Sequence, residues 1–134
     1  MTTAPQSAPS KAPARTAVLS FTLDAALVLL FAGIGRGSHA RSATFLGLLE
    51  TAWPFLAGLA IMWLVTLAHR RPTALVRTAI PVWIGTVAIG MGFRAVTGHS
   101  TALPFVIVAT LTLLLFLVGW RLIALIVRKA RAKR

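Results

Sequence analysis

Cysteine is absent from this 134-residue chain, and only 2 of its residues are acidic. Without thiols there is no disulfide, no thiolate metal site and no cysteine nucleophile. Charge of either sign is scarce. Asp, Glu, Lys and Arg make up 12% of the chain, about half the share usual in a soluble domain. Hydrophobic residues make up 57% and come in long runs. A water-soluble enzyme, a nucleic-acid-binding module and a disordered chain are all poor descriptions of such a sequence. The formal net charge of +12 could suit a nucleic acid, but the cations flank apolar runs instead of forming a patch of their own. No phosphate-binding glycine loop, no Ser-His-Asp grouping and no repeated carboxylate pair is present, so no enzymatic activity is expected. Gly33-Ile34-Gly35 and Gly90-Met91-Gly92 are glycines of membrane helices, since no strand precedes either. Arg outnumbers Lys, and Ala, Val and Leu abound, which points weakly to a GC-rich bacterial genome.

Residues 1–16 are rich in Ala, Pro, Ser and Thr, with prolines at 5, 9 and 13, and read as a disordered tail. Four apolar segments follow, at about 17–35, 45–68, 78–96 and 103–127. A helix rises 1.5 Å per residue, so about 20 residues cross the hydrocarbon core, and lipid offers no other partner for backbone amides. The expected fold is all-α: a polytopic bundle of four transmembrane helices over residues 17–127, ending in a basic tail at 128–134. Arg15, an apolar stretch and Ser38-His39-Ala40 superficially resemble a cleavable signal peptide. The long polar leader and Asp24 within the apolar core oppose that reading.

The cations give an orientation. The N-tail, the second connection and the C-tail share Lys11, Arg15, Arg70, Arg71, Arg77, Arg128, Lys129, Arg131, Lys133 and Arg134, whereas the other two connections hold only Arg36 and Arg41. Both termini are therefore expected on the cytoplasmic side of a bacterial plasma membrane. Trp63, Trp83 and Trp120 fall near the same ends of their helices, where an interfacial belt would place them. The C-terminal cations suit anionic headgroups at about 1 kcal/mol each, with no need for nucleic acid. Thr51-Ala52-Trp53-Pro54-Phe55 is echoed by Thr101-Ala102-Leu103-Pro104-Phe105, each expected to open a helix. Gly33-Ile34-Gly35-Arg36 is likewise similar to Gly90-Met91-Gly92-Phe93-Arg94. Together these suggest a duplicated helical hairpin. Gly85, Ala88 and Gly92 form a small-residue stripe suited to close packing, more readily within the chain than between copies. A homo- or hetero-oligomer is also compatible with it.

The two acids are the sharpest candidates for a site. The first helix needs residues 17–23 to span, which places Asp24 about 10 Å inside its end. A carboxylate there costs about 2.5 to 3.5 kcal/mol and should be paired, protonated or wet. Arg121 lies at matching depth on the fourth helix, so an Asp24–Arg121 pair is expected. Glu50 is placed at the outer interface, with Arg94 and Arg36 near enough to neutralise it. His39 and His99 share that side, but their spacing with Glu50 matches no ligand motif, so no metal is expected. Haem is not expected either, since His39, His69 and His99 all stand at helix ends, and no other cofactor is implied. Pro54 either occupies a first helical turn or kinks its span.

Asp24 followed by Leu29, Leu30, Phe31, Ala32, Gly35-Arg36 and His39 resembles the opening of a family of small bacterial, largely actinobacterial, membrane proteins known only as a domain of unknown function. Thr51-Ala52-Trp53-Pro54-Phe55-Leu56 with Gly58 is similar to its second-helix signature. Gly90-Met91, Arg94, Phe105, Ala109 and Trp120-Arg121 resemble its later helices. The resemblance covers about residues 18–122. It implies a four-helix integral membrane protein with no activity to carry over, and it singles out Asp24, Arg36, His39, Trp53, Pro54, Arg94 and Arg121. The leading expectation is a non-enzymatic structural or accessory membrane component. The alternative is a small transporter in which Asp24 binds a proton or cation. Small multidrug transporters are similar in having four helices and an acid in the first, but that acid is characteristically Glu.

Overall fold

The computed structural model describes residues 13–38 and 44–133, the side chains of 36–38 excepted. Residues 1–12 of the expected tail lie outside the described residues, as do His39, Arg41 and Arg134. Five α-helices make up the rest: α1 (Ala14–Ser38), α2 (Phe45–Val65), α3 (Ile80–Val96), α4 (Leu103–Leu113) and α5 (Gly119–Ala132). A π turn at Leu75–Ala79 leads into α3, and another at Leu114–Val118 joins α4 to α5 without a break. Four continuous apolar spans result, each long enough to cross a membrane. The protein is an all-α, multi-pass membrane protein.

The ends of these helices reflect local chemistry. The prolines suggest a tail running to residue 16, but Pro13 starts α1. Its carbonyl accepts the amides of Thr16 and Ala17 at 2.9 and 3.2 Å, and a proline before the first turn lacks only an N–H that no helical carbonyl would use. Thr44 caps α2 by accepting the Gly47 amide at 3.0 Å. The helix stops at Val65, short of the expected residue 68. There the Thr66 hydroxyl donates to the Met62 carbonyl at 2.6 Å, and Leu67 turns left-handed at φ 53°. At the C-terminus the expected tail is not separate, because α5 runs on through Arg128, Lys129 and Arg131.

The interior is formed by Val28 and Phe31 of α1, Phe55, Leu59 and Trp63 of α2, Val82 of α3, Ala109 and Leu113 of α4, and Leu117 of the second π turn. Large apolar side chains such as Leu19, Leu30, Ile84, Leu111 and Ile123 point outward, as they should where the surroundings are hydrocarbon. The closest pairing is α2 on α3, which glycine permits. A Cβ on Gly90 would collide with the Phe55 ring and one on Gly85 with the Met62 side chain, while one on Gly58 would lie 3.1 Å from the Thr86 carbonyl oxygen. The stripe expected from Gly85, Ala88 and Gly92 is therefore split. Gly85 packs inward, but Ala88 and Gly92 are not buried, and a Cβ on Gly92 meets nothing within 4 Å. The inward glycines are five apart, Gly85 and Gly90, not four.

The two Thr-Ala-x-Pro-Phe segments differ in local structure. Pro104 stands in the first turn of α4, but Pro54 is buried inside α2, well past the helix start at Phe45. The first segment opens no helix, contrary to expectation, and Pro54 deprives the Glu50 carbonyl of its α-helical donor. Their phenylalanines nonetheless meet. The Phe55 and Phe105 centroids are 6.2 Å apart, and Phe31 stands edge-on to Phe55 at 5.3 Å.

Candidate functional site

One buried polar cluster lies inside the bundle, and three spans and one connection build it. Asp24 of α1 and Arg121 of α5 are both fully buried. The guanidinium meets the carboxylate end-on through both Nη atoms, with Nη2 to Oδ2 at 2.7 Å and Nη1 to Oδ1 at 2.9 Å. Two indoles complete the carboxylate's surroundings. Trp63 of α2 donates Nε1–H to Oδ2 at 2.9 Å, and Trp120 of α5 donates to Oδ1 at 2.8 Å. A carboxylate has about four lone-pair directions, and here four donors take them. The Arg121 side chain is held from behind as well. Its Nε donates to the Pro72 carbonyl at 2.7 Å and its Nη1 to the Leu117 carbonyl at 2.9 Å. Its guanidinium carbon lies 4.6 Å from the centroid of the Trp120 ring, a favourable cation–π distance.

Several local features position these groups. Trp120 and Arg121 are adjacent in sequence, and the π turn at Leu114–Val118 lies just before them. Such a turn rotates the residues after it relative to a regular helix, and π turns are frequent at functional sites. The Thr66–Ala74 connection folds under the bundle so that Pro72 is buried and its carbonyl points at Arg121. Left-handed Leu67 and the 3-10 turn at Ala68–Arg70 set that path, and the Thr78 hydroxyl holds it by donating to the Arg71 carbonyl. Phe21 packs edge-on against Trp63 at 5.2 Å and closes the cluster toward the N-terminus.

The tryptophans correct an expectation. Trp63 is 6% exposed and does not reach for an interface. It and Trp120 hydrogen-bond the buried carboxylate, while Trp83 donates to the Thr110 carbonyl at 2.9 Å and ties α3 to α4. Sequence reasoning missed the indoles and Pro72. Only the burial of an acid near tryptophans on other spans could have signalled them.

A second polar cluster sits at the other end of the bundle and is open. The Glu50 carboxylate is 3.3 Å from Nε2 of His99, with side-chain exposures of 65% and 31%. The Nδ1 of His99 contacts the Thr97 hydroxyl at 2.9 Å. Arg94 is mostly buried. Its Nε donates to the Ser100 carbonyl at 3.0 Å, and its guanidinium lies 4.2 Å from the Phe105 centroid. Trp53 stacks on Phe93 at 5.7 Å. The pairing of Glu50 with His99 was not the one expected, which was with Arg94 or Arg36. Arg36 lies in the last turn of α1 by its backbone, its side chain being outside the described residues, as is His39. No group of three His, Asp or Glu residues able to hold a metal exists among the described residues.

The model of a family described as "Protein of unknown function (DUF3054)" matches residues 21–124, which include Asp24, Trp63, Trp120 and Arg121. No curated protein and no solved structure matches the chain. The chain belongs to the DUF3054 family.

Proposed function

We propose that this member of a family of unknown function is a non-enzymatic structural or accessory component of the bacterial plasma membrane, in which the Asp24–Arg121 pair locks the bundle and does not turn over. The observation that carries this reading is the saturation of the carboxylate, in which each oxygen of Asp24 accepts two hydrogen bonds. A transport cycle on Asp24 would exchange a proton or cation for those donors. That exchange would expel a guanidinium held by two further carbonyls, or an indole packed in the core. The arrangement suits a joint between α1, α2, α5 and the 66–74 connection better than a carrier site. Exposed cations at one end, among them Arg15, Arg70, Arg71 and Arg128, favour placing both termini in the cytoplasm.

The test compares the natural protein with Asp24→Asn in sealed proteoliposomes carrying a pH gradient. The expected result is an unchanged rate of gradient decay, with Asp24→Asn showing lower yield and lower thermal stability in detergent. Proton-coupled flux in the natural protein, lost in an equally stable Asp24→Asn variant, would establish the transporter instead. Orientation is tested separately with Thr73→Cys and Ala132→Cys, since the chain has no cysteine. Impermeant maleimide should label both only after the membrane is opened, and labelling from outside intact cells would reverse the orientation.

A further inference from the structure

At the open end of the bundle four polar groups stand in a row that needs one hydrogen more than its neutral members own. The Phe93 carbonyl lies 2.8 Å from the Thr97 hydroxyl, and that hydroxyl lies 2.9 Å from Nδ1 of His99. Nε2 of His99 lies 3.3 Å from the Glu50 carboxylate. Each of these three links takes one hydrogen. The carbonyl and an ionised carboxylate can only accept, so every hydrogen must come from the hydroxyl or the ring. A hydroxyl and a neutral imidazole bring two. Whichever ring nitrogen keeps its hydrogen, one link goes unmade. An imidazolium brings the third: Nε2–H then serves Glu50, Nδ1–H serves Thr97 and the hydroxyl serves Phe93.

The row also joins two elements. Glu50 belongs to α2, whereas Thr97 and His99 lie on the connection between α3 and α4. That connection reverses at Gly98, with φ 81°, and is tied back to α3. The His99 amide donates to the Arg94 carbonyl at 2.8 Å, and Arg94 Nε donates to the Ser100 carbonyl at 3.0 Å. The imidazole ties it to α2 as well. Few charges surround the pair. Glu50 is the sole ionisable residue of α2, Arg94 that of α3 and His99 that of the connection, and α4 has none. The Arg94 guanidinium lies over the Phe105 ring. Arg36 is the ionisable residue of α1 toward this end, and its side chain lies outside the described residues, as do His39 and Arg41.

We propose that His99 and Glu50 form a proton-binding site, and that the bound proton latches the α3–α4 connection to α2. The sign follows from the hydrogen count. The row is complete when the imidazole is charged, so the latch is closed in acid and opens as the pH rises through the imidazole range, about pH 5 to 8. Side-chain exposures of 65% and 31% place the contact among surface ion pairs, which are weak. A weak latch is one that a change of medium can open. The site lies at the opposite end from Asp24 and does not depend on whether that residue turns over. With both termini in the cytoplasm, this end meets the medium outside the cell, and the latch reads the pH there.

The experiment uses the full chain in detergent micelles, with isotope-labelled imidazole nitrogens titrated by NMR from about pH 5 to 8. The His99 signal is assigned by its loss in His99→Gln. A spin label on Thr101→Cys reports the motion of the connection, since the chain has no cysteine of its own. His99 should hold its proton up to about fivefold more tightly in the natural chain than in Glu50→Gln, the equivalent of about 1 kcal/mol. Thr97→Val should weaken the proton's hold too, but by less. The label should loosen along the same pH curve as His99 titrates, and His99→Gln should abolish that response. Unchanged fluorescence from Trp63 and Trp120 shows that each variant is folded. Equal proton affinity in the natural chain and Glu50→Gln, tighter binding in Thr97→Val, or label motion indifferent to pH would overturn the proposal. So would a label response that persists in His99→Gln, or one that a chelator removes, which is the mark of a metal ion instead of a proton.

Discussion

The two ends of the bundle hold similar ingredients and put them to opposite uses. Each has one of the chain's two carboxylates, an arginine on a neighbouring span and aromatic rings beside it. At one end Asp24 and Arg121 are 0% exposed, 2.7 Å apart and supported by two indoles and two carbonyls. At the other, Glu50 is 65% exposed and meets a histidine at 3.3 Å, while Arg94 turns to a ring and a carbonyl. The difference lies in what removal would leave behind. Water can solvate whatever remains at the open end. In the buried cluster every lost partner leaves a charge or a donor in a medium that cannot hydrate it.

That contrast ranks the expected effects of substitution. Arg121→Leu strands a buried carboxylate and should cost about 3 to 5 kcal/mol of stability, read as collapse of folded yield and an earlier unfolding transition in mixed micelles. Trp63→Phe keeps the ring in the core and removes one donor from Oδ2, so about 1 to 3 kcal/mol is expected, measured in the same titration. Arg94→Gln tests whether the open end has a buried component. Loss of its contact with Phe105 should cost about 0.5 to 2 kcal/mol, and a cost equal to that of Arg121→Leu would erase the distinction between the two ends. The smallest effect belongs to Glu50→Gln, at most about 1 kcal/mol, shrinking further as salt is raised because both partners are accessible to solvent.

How much of this could be read in the sequence depended on the range of the signal. The four spans were legible because lipid forces any apolar run of sufficient length into a helix. The Asp24–Arg121 pair was legible because a buried acid in a chain with so few charges has few partners at its depth. Their surroundings were not. Trp63 and Trp120 stand near helix ends, and the same residues serve an interfacial belt or a buried carboxylate depending on which way the indole N–H points. The Pro72 carbonyl is a backbone group on a connection that begins with Leu67 in the left-handed region, a conformation that leucine does not advertise. Pro54 could be read as an opening or an interior proline, since α2 begins at the Thr44 cap, well before its Thr-Ala-Trp-Pro motif. Ala88 and Gly92 have the spacing of a packing stripe, but that spacing does not say which side of α3 faces α2. The glycines that Phe55 and Met62 require decide it. At the open end His99 meets Glu50, a contact the spacing did not announce, because the chain reverses after Gly98 at φ 81° and the Arg94 carbonyl accepts the His99 amide at 2.8 Å.

A double-substitution cycle on Asp24→Leu and Arg121→Leu, with unfolding monitored in mixed micelles, is the most direct test of whether the buried pair holds the bundle together. Each single change should destabilise by about 3 to 5 kcal/mol, and the double should recover a large part of that, because removing both charges leaves neither stranded. Strictly additive losses, or single changes no more harmful than Glu50→Gln, would contradict a lock at Asp24 and Arg121.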